Sequence, residues 1–194
     1  MKSHRRNVMI AAAILGAGLM QGCATKIKAS TTDNPPPAQA FSQYGHIEVK
    51  HVVFKEGYKG DAAGLAKIDE NLQKDLAPHL EKWNQRANGK TLVVEPVVEE
   101  MSFKHGASRV LLGPLMGSSG VLMRVTFRDN TGKVIATPEF FQRTAAFSGG
   151  FTLGTMDNLM LLRVANLASS YVIKNYDKAV GGPSGADDKS VRPN

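Results

Sequence analysis

Along residues 45–54, "GHIEVKHVVF", Ile47 and Val49 stand between polar neighbours before the apolar run Val52–Val53–Phe54. This alternation predicts a first strand, closed off by Gly57 and Gly60. From Asp61 to about Arg86 the period changes. Leu65, Ile68, Leu72, Leu76, Leu80 and Trp83 recur at three- and four-residue steps, while Lys67, Glu70, Lys74, Asp75, Glu81 and Lys82 take the other faces. The pattern predicts an amphipathic helix with Asp61 as its N-cap. Pro78 predicts a kink or a division within it, and Asn88–Gly89 its end. Residues 90–103, "KTLVVEPVVEEMSF", predict a second strand, in which Pro96, with no N–H to donate, implies a bulge or an edge position. A strand, a helix and a strand make a right-handed crossover between parallel neighbours.

The sharpest pattern lies in 120–143, "GVLMRVTFRDNTGKVIATPEFFQR", where Asp129–Asn130–Thr131–Gly132 has turn chemistry. A four-residue loop sets Phe127 opposite Val134, Val125 opposite Ala136, Met123 opposite Pro138 and Val121 opposite Phe140. All eight then share one apolar face, and Arg124, Thr126, Arg128, Lys133, Thr137 and Glu139 share the other. A last helix, capped by Thr155, is predicted to about Tyr176, with Leu161, Val164, Ala165, Ala168, Tyr171 and Val172 as its buried stripe. The order β-α-β-β-β-α predicts an α+β fold: a two-layer α/β sandwich with a mixed four-stranded sheet and both helices on one face.

Two stretches fit no element: 104–120, "KHGASRVLLGPLMGSSG", and 145–154, "AAFSGGFTLG". They flank the hairpin and so should emerge at the same end of the domain. Leu111, Leu115, Phe147 and Phe151, with Arg109, are the candidate surface for a protein partner, a second copy or a lipid surface. The alternative is that these segments fold back and cap the core.

The N-terminal region has its own pattern. Lys2, Arg5 and Arg6 precede an uncharged run, Val8–Met20, which is too short to span a bilayer and fits a signal-peptide core. Gly22, Cys23 and Ala24 follow. This resembles the lipobox of bacterial lipoproteins, with Leu19 or Met20 as its large apolar residue. The resemblance implies a signal peptide over 1–22, cleavage before Cys23, and diacylglyceryl attachment to the Cys23 sulfur with acylation of the new amino terminus. It also explains why the chain has one cysteine. By analogy with enterobacterial sorting, Ala24 rather than aspartate implies the periplasmic face of the outer membrane. Thr25–Ala40, rich in Thr, Ser, Pro and Ala, then reads as a flexible tether, so that 23–40 is the lipidated cysteine with its linker. Residues 41–180 read as a single domain and 181–194 as a disordered tail.

Lys and Arg number 24 against 17 Asp and Glu. Removing Lys2, Arg5 and Arg6 with the signal leaves 21 against 17, a mature balance of +4. Export and the lack of basic–aromatic interleaving argue against nucleic acid as a partner. No catalytic constellation is visible. His46, His51, His79 and His105 have no helical metal spacing, so no metal or other cofactor is expected. Ser118, Ser119 and Ser148 lack the Gly-x-Ser-x-Gly frame. Glu99 and Glu100 diverge on a strand, and Glu95 and Glu99 share a face as solvated charge. Gly113, Gly117 and Gly120 make no phosphate loop.

The stretch "GASRVLLGPLMGSSG", the alternating strand, the "D-x-T-G-K-V" turn and the closing helix resemble a family of small bacterial lipoproteins known as a domain of unknown function. The likeness covers about Gly45 to Tyr176, most specifically Ser108–Arg109, Gly113, Gly117 and Asp129 to Val134. The element order is also similar to the periplasmic domain of the curli secretion channel, an envelope lipoprotein. Neither resemblance supplies a catalytic residue; the anchor signal beside the absent catalytic constellation leads to the expectation of a non-catalytic binding or assembly module held to the membrane by lipid. An enzyme acting on an envelope polymer and a ring-forming subunit of a secretion complex are the alternatives.

Overall fold

The structure, a computed structural model, describes residues 27–85, 89–103, 119–144 and 155–187. The main sheet occupies four ladder positions. β2 (His46–Val49) and β3 (Val53–Phe54) share one edge position, both parallel to β4 (Thr91–Ser102). β5 (Gly120–Asp129) is antiparallel to β4, and β6 (Val134–Ala136) and β7 (Glu139–Arg143) share the other edge, antiparallel to β5. Helices α1 (Ala62–Trp83) and α2 (Thr155–Lys174) pack on each other, and their buried stripes join one core with the inner sheet face. This is the expected two-layer α+β sandwich with a mixed sheet.

Both edge strands are broken where the sequence read them as continuous, and Pro96 accounts for the first break. Lys50 N–H bonds to Val94 O and Lys55 N–H to Val98 O, so β4 offers alternate residues to this edge. Pro96 is the one between, with no donor, and it faces the interval between β2 and β3. The proline thus sits in a central strand and interrupts its neighbour. Pro78 does not divide α1, which continues to Trp83; the proline lies on the exposed side, where the carbonyl it leaves unbonded faces water.

The hairpin register differs from the expected one by two residues. Phe127 pairs Ala136 and Met123 pairs Phe140. One residue of the shift comes from a shorter loop: Asp129 N–H bonds to Lys133 O at 3.0 Å, leaving only 130–132 to turn, with Gly132 at φ 86°. The other comes from a bulge between Phe127 and Arg128. An even shift preserves the faces along most of the hairpin, so Val121, Met123, Val125, Phe127 and Phe140 are all core. Val134, beyond the bulge, is 43% exposed, and Ile135 turns inward in its place.

The flexible tether and disordered tail are corrected over the residues described. Ile27 packs with Leu122 and Phe141 on the open face of the sheet. Ser30 N–H and Oγ and Thr31 N–H donate to Glu139 Oε1. β1 (Asp33–Asn34) pairs antiparallel with β8 (Gly182–Pro183), and Phe141 N–H donates to Ser184 O. Ala38 N–H then reaches Ile135 O, and Phe41 enters the core, stacked on Phe127 at 4.8 Å and 9°. The start of the C-terminal segment is set by Asn175, whose Oδ1 accepts from Val180 and Gly181 N–H at 2.7 and 2.8 Å. Gly181, at φ 76°, passes so close to residues 27–40, the strap along the sheet, that a Cβ there would lie 2.4 Å from Asn34 O. Hydrogen bonds hold both segments with little apolar burial, and a count of apolar residues does not see them.

Candidate functional site

Arg109, Leu111, Leu115, Phe147 and Phe151 lie outside the described residues, as does Cys23. Their points of attachment do not. Ser102 pairs with Gly120, Gly120 pairs with Arg143, and Thr144 N–H bonds to Ser119 O at 3.0 Å. The strands from which 104–118 and 145–154 leave therefore end on one rung, as the flanking of the hairpin predicts.

The first turn of α1 packs at this end. Asp61 accepts Gly64 N–H at 2.6 Å as the expected N-cap. A methyl group on Gly64 would lie 3.0 Å from Met101 Sδ and 3.1 Å from Phe103 Cζ, so glycine lets the helix lie close against the strand end. Between the two helix starts lies a cleft of about 270 Å³, lined by Lys67, Phe103, Asp157, Asn158 and Leu161 among others. A second cleft, of about 350 Å³, lies where the strap meets the C-terminal segment; Thr32, Asp33, Leu167 and the buried Gln142 line it.

The open sheet face carries the charge. Arg128 pairs with Glu95 at 3.0 Å, and Arg124 pairs with Glu99 at 2.7 Å and with Glu139 at 3.6 Å. The hydrogen bond that Arg124 donates to Glu99 raises its guanidinium further above its ordinary range, against the pull of burial. Glu139, 4% exposed, is further engaged by Ser30 and Thr31. These carboxylates hold Arg124, Arg128 and the strap.

The described histidines stand apart. His51 Nδ1 meets Asp69 Oδ2 at 2.8 Å, His79 rests on Trp83, and His46 is exposed. Among the described residues, no three His, Cys, Asp or Glu side chains gather as a metal site. Trp83, read as core, stacks on Tyr176 at 4.0 Å.

Sequence reasoning missed two asparagines that close the sheet. Asn84 accepts Ile47 N–H at 2.7 Å and donates to Ile47 O at 2.9 Å. Asn34 accepts Glu139 N–H at 2.9 Å and donates to Glu139 O at 2.8 Å. Each amide imitates the backbone of a missing strand, one at either edge. Their only sequence signal is position, one beside the helix end and one before a proline run.

No protein-family model matches this chain, and no curated protein matches it. Among solved structures it is similar to a PelC dodecamer from Paraburkholderia phytofirmans, at 15% identity and a TM-score of 0.41, covering 68% of this chain and 90% of that one. It is also similar to a minor lipoprotein from Acinetobacter baumannii, at 12% identity and a TM-score of 0.35, covering 69% and 95%. Among the described residues no helix is long and apolar enough to cross a membrane.

Proposed function

We propose that this chain is an envelope lipoprotein, anchored by acylated Cys23 to the periplasmic face of the outer membrane, whose domain binds or assembles rather than catalyses. The observation that carries this reading is the placement of the single cysteine directly after a charged start, the apolar run Val8–Met20 and the small residue Gly22. Acyl chains on one sulfur and one amino terminus exceed the two-signal threshold for stable anchoring. Supporting a non-catalytic role, Glu95, Glu99 and Glu139 are each engaged in ion pairs. Binding falls to the end of the domain from which the two glycine-rich segments leave. Assembly into a ring through the sheet edges is disfavoured, because Asn34 and Asn84 occupy both edges at the rungs they meet.

Mass spectrometry of the membrane-extracted protein should show an N-terminal, acylated Cys23, and Cys23→Ser should release the protein from membranes or leave it as unprocessed precursor. Absence of acyl mass on Cys23 of the membrane-extracted protein overturns the anchor. Replacing Leu111, Leu115 and Phe151 with Ser should abolish co-purification of envelope partners while circular dichroism stays unchanged; an unaltered set of partners overturns the binding role of that end.

A further inference from the structure

We infer that the cleft between the strap and the C-terminal segment is a binding site for a small aliphatic diamine. The inference stands apart from the Cys23 anchor and from the glycine-rich end of the domain. One buried residue ties the two lips of the cleft together. Ser184 N–H donates to Thr32 O at 2.9 Å, and Ser184 Oγ donates to the same carbonyl at 3.0 Å. Phe141 N–H donates to Ser184 O at 2.8 Å, so both lips are also fixed to β7. The cleft is thus preformed. Its volume of about 350 Å³ suits a small organic molecule rather than a lone metal ion.

The floor asks for a hydrogen-bond donor. Gln142 lines the cleft and is 2% exposed, yet its Oε1 has no hydrogen-bond partner among the described residues. Buried amide oxygens are paired in the great majority of cases, and an N–H group seated in the cleft would pair this one. Gly185, at φ 88°, keeps the approach open. A Cβ there would lie 2.6 Å from Leu167 Cδ1 and 2.8 Å from Gln142 Nε2, so any side chain would press on both.

The mouth asks for positive charge. Asp33 and Asp187 line the cleft and are exposed, whereas Gln142 is buried, so the carboxylates belong to the mouth and the amide to the floor. Among the described residues lining the cleft, none is Lys or Arg. Leu167 and Pro183 supply apolar wall between the two ends. An ammonium at the carboxylates, methylenes along Leu167 and Pro183, and a second N–H group at Gln142 match the three parts together. An anionic ligand would instead meet like charge at the mouth.

The test uses the full-length chain in detergent, methyl-labelled at leucine for nuclear magnetic resonance. It is titrated with cadaverine, with the uncharged analogue pentanediol and with calcium chloride. The Leu167 methyl signals, assigned through Leu167→Met, should shift saturably with cadaverine and stay in place with pentanediol. Asp33→Asn and Asp187→Asn keep the side-chain shape and remove the charge; each should weaken cadaverine binding about tenfold, the loss of one charge-assisted contact. Gln142→Met, close in volume and without the amide, should weaken it by a similar factor, about tenfold. Unchanged circular dichroism shows that each variant is folded. An equal response to pentanediol, or cadaverine affinity unaltered in folded Asp33→Asn and Asp187→Asn, overturns recognition of an amine. A saturable response to calcium in place of cadaverine assigns the carboxylates to a metal ion and overturns the diamine. No saturable shift with any of the three leaves Gln142 to water and overturns the site.

Discussion

Asp69 shows how much a single side chain settles. Its Oδ1 accepts Val52 N–H at 3.0 Å, in the gap between β2 and β3, while Oδ2 meets His51. Burial works to raise its carboxyl, and the Val52 and His51 hydrogen bonds outweigh it, so the group sits below the usual carboxylate range. A lowered folded value contributes stability that is present above the unfolded value and lost as pH falls through the folded one. Asp69→Asn should therefore cost about 1–2 kcal/mol at neutral pH, and urea melts of the two proteins should draw together only as pH falls below the usual carboxylate range. Tyr171 works in the other direction. Its hydroxyl donates to Pro35 O at 2.9 Å, and burial pushes it up to about 12. The neutral form is the one the fold prefers, so stability is full below pH 10 and falls as pH climbs toward 12. Ultraviolet titration of the native protein should show a tyrosine titrating near pH 12 that Tyr171→Phe removes. Neither role was legible in the sequence: Tyr171 reads as a core position and Asp69 as a polar helix position, and the partners of both lie on other elements.

At the scale of elements, what could be read were the units whose apolar period is long. The α1 stripe through Ile68, Leu72 and Leu76 and the α2 stripe through Leu161, Val164 and Tyr171 are buried as their spacing demands. The alternation in β5 gives its faces correctly even though the register is two residues off, because an even slip keeps every side chain on its side. The strap was illegible for the converse reason. "ASTTDNPPP" holds the sheet through Asn34, Ser30 and Thr31, polar contacts that leave no periodic trace. Asn34→Ala should cost about 2–4 kcal/mol by chemical denaturation, since it strands both the N–H and C=O of Glu139. It should also raise light scattering over time as the β7 edge opens to other chains. Gly132→Ala, at φ 86° with open space around it, should cost about 1 kcal/mol through backbone strain alone.

For the molecule as a whole, the candidate site was legible as a location and not as a chemistry. That 104–118 and 145–154 leave from one end follows from hairpin topology, and the Ser102–Gly120–Arg143 rung places their roots side by side. What the sequence could not show is that Ile27 lies over the same rung. That depends on Ile27 meeting residues about a hundred positions further along. The strap has a consequence for biogenesis. Its first residues are synthesised early, yet Asn34 waits for Glu139, 105 residues later, and Thr31 waits for Ser184, 153 residues later. The strap thus docks only once Glu139 and Ser184 are in place, and until then the β7 margin has no finished closure. Pulse-labelled hydrogen exchange during refolding should find the amides of Glu139 and Phe141 among the last to gain protection, an interval in which a holding chaperone has a strand edge to shield.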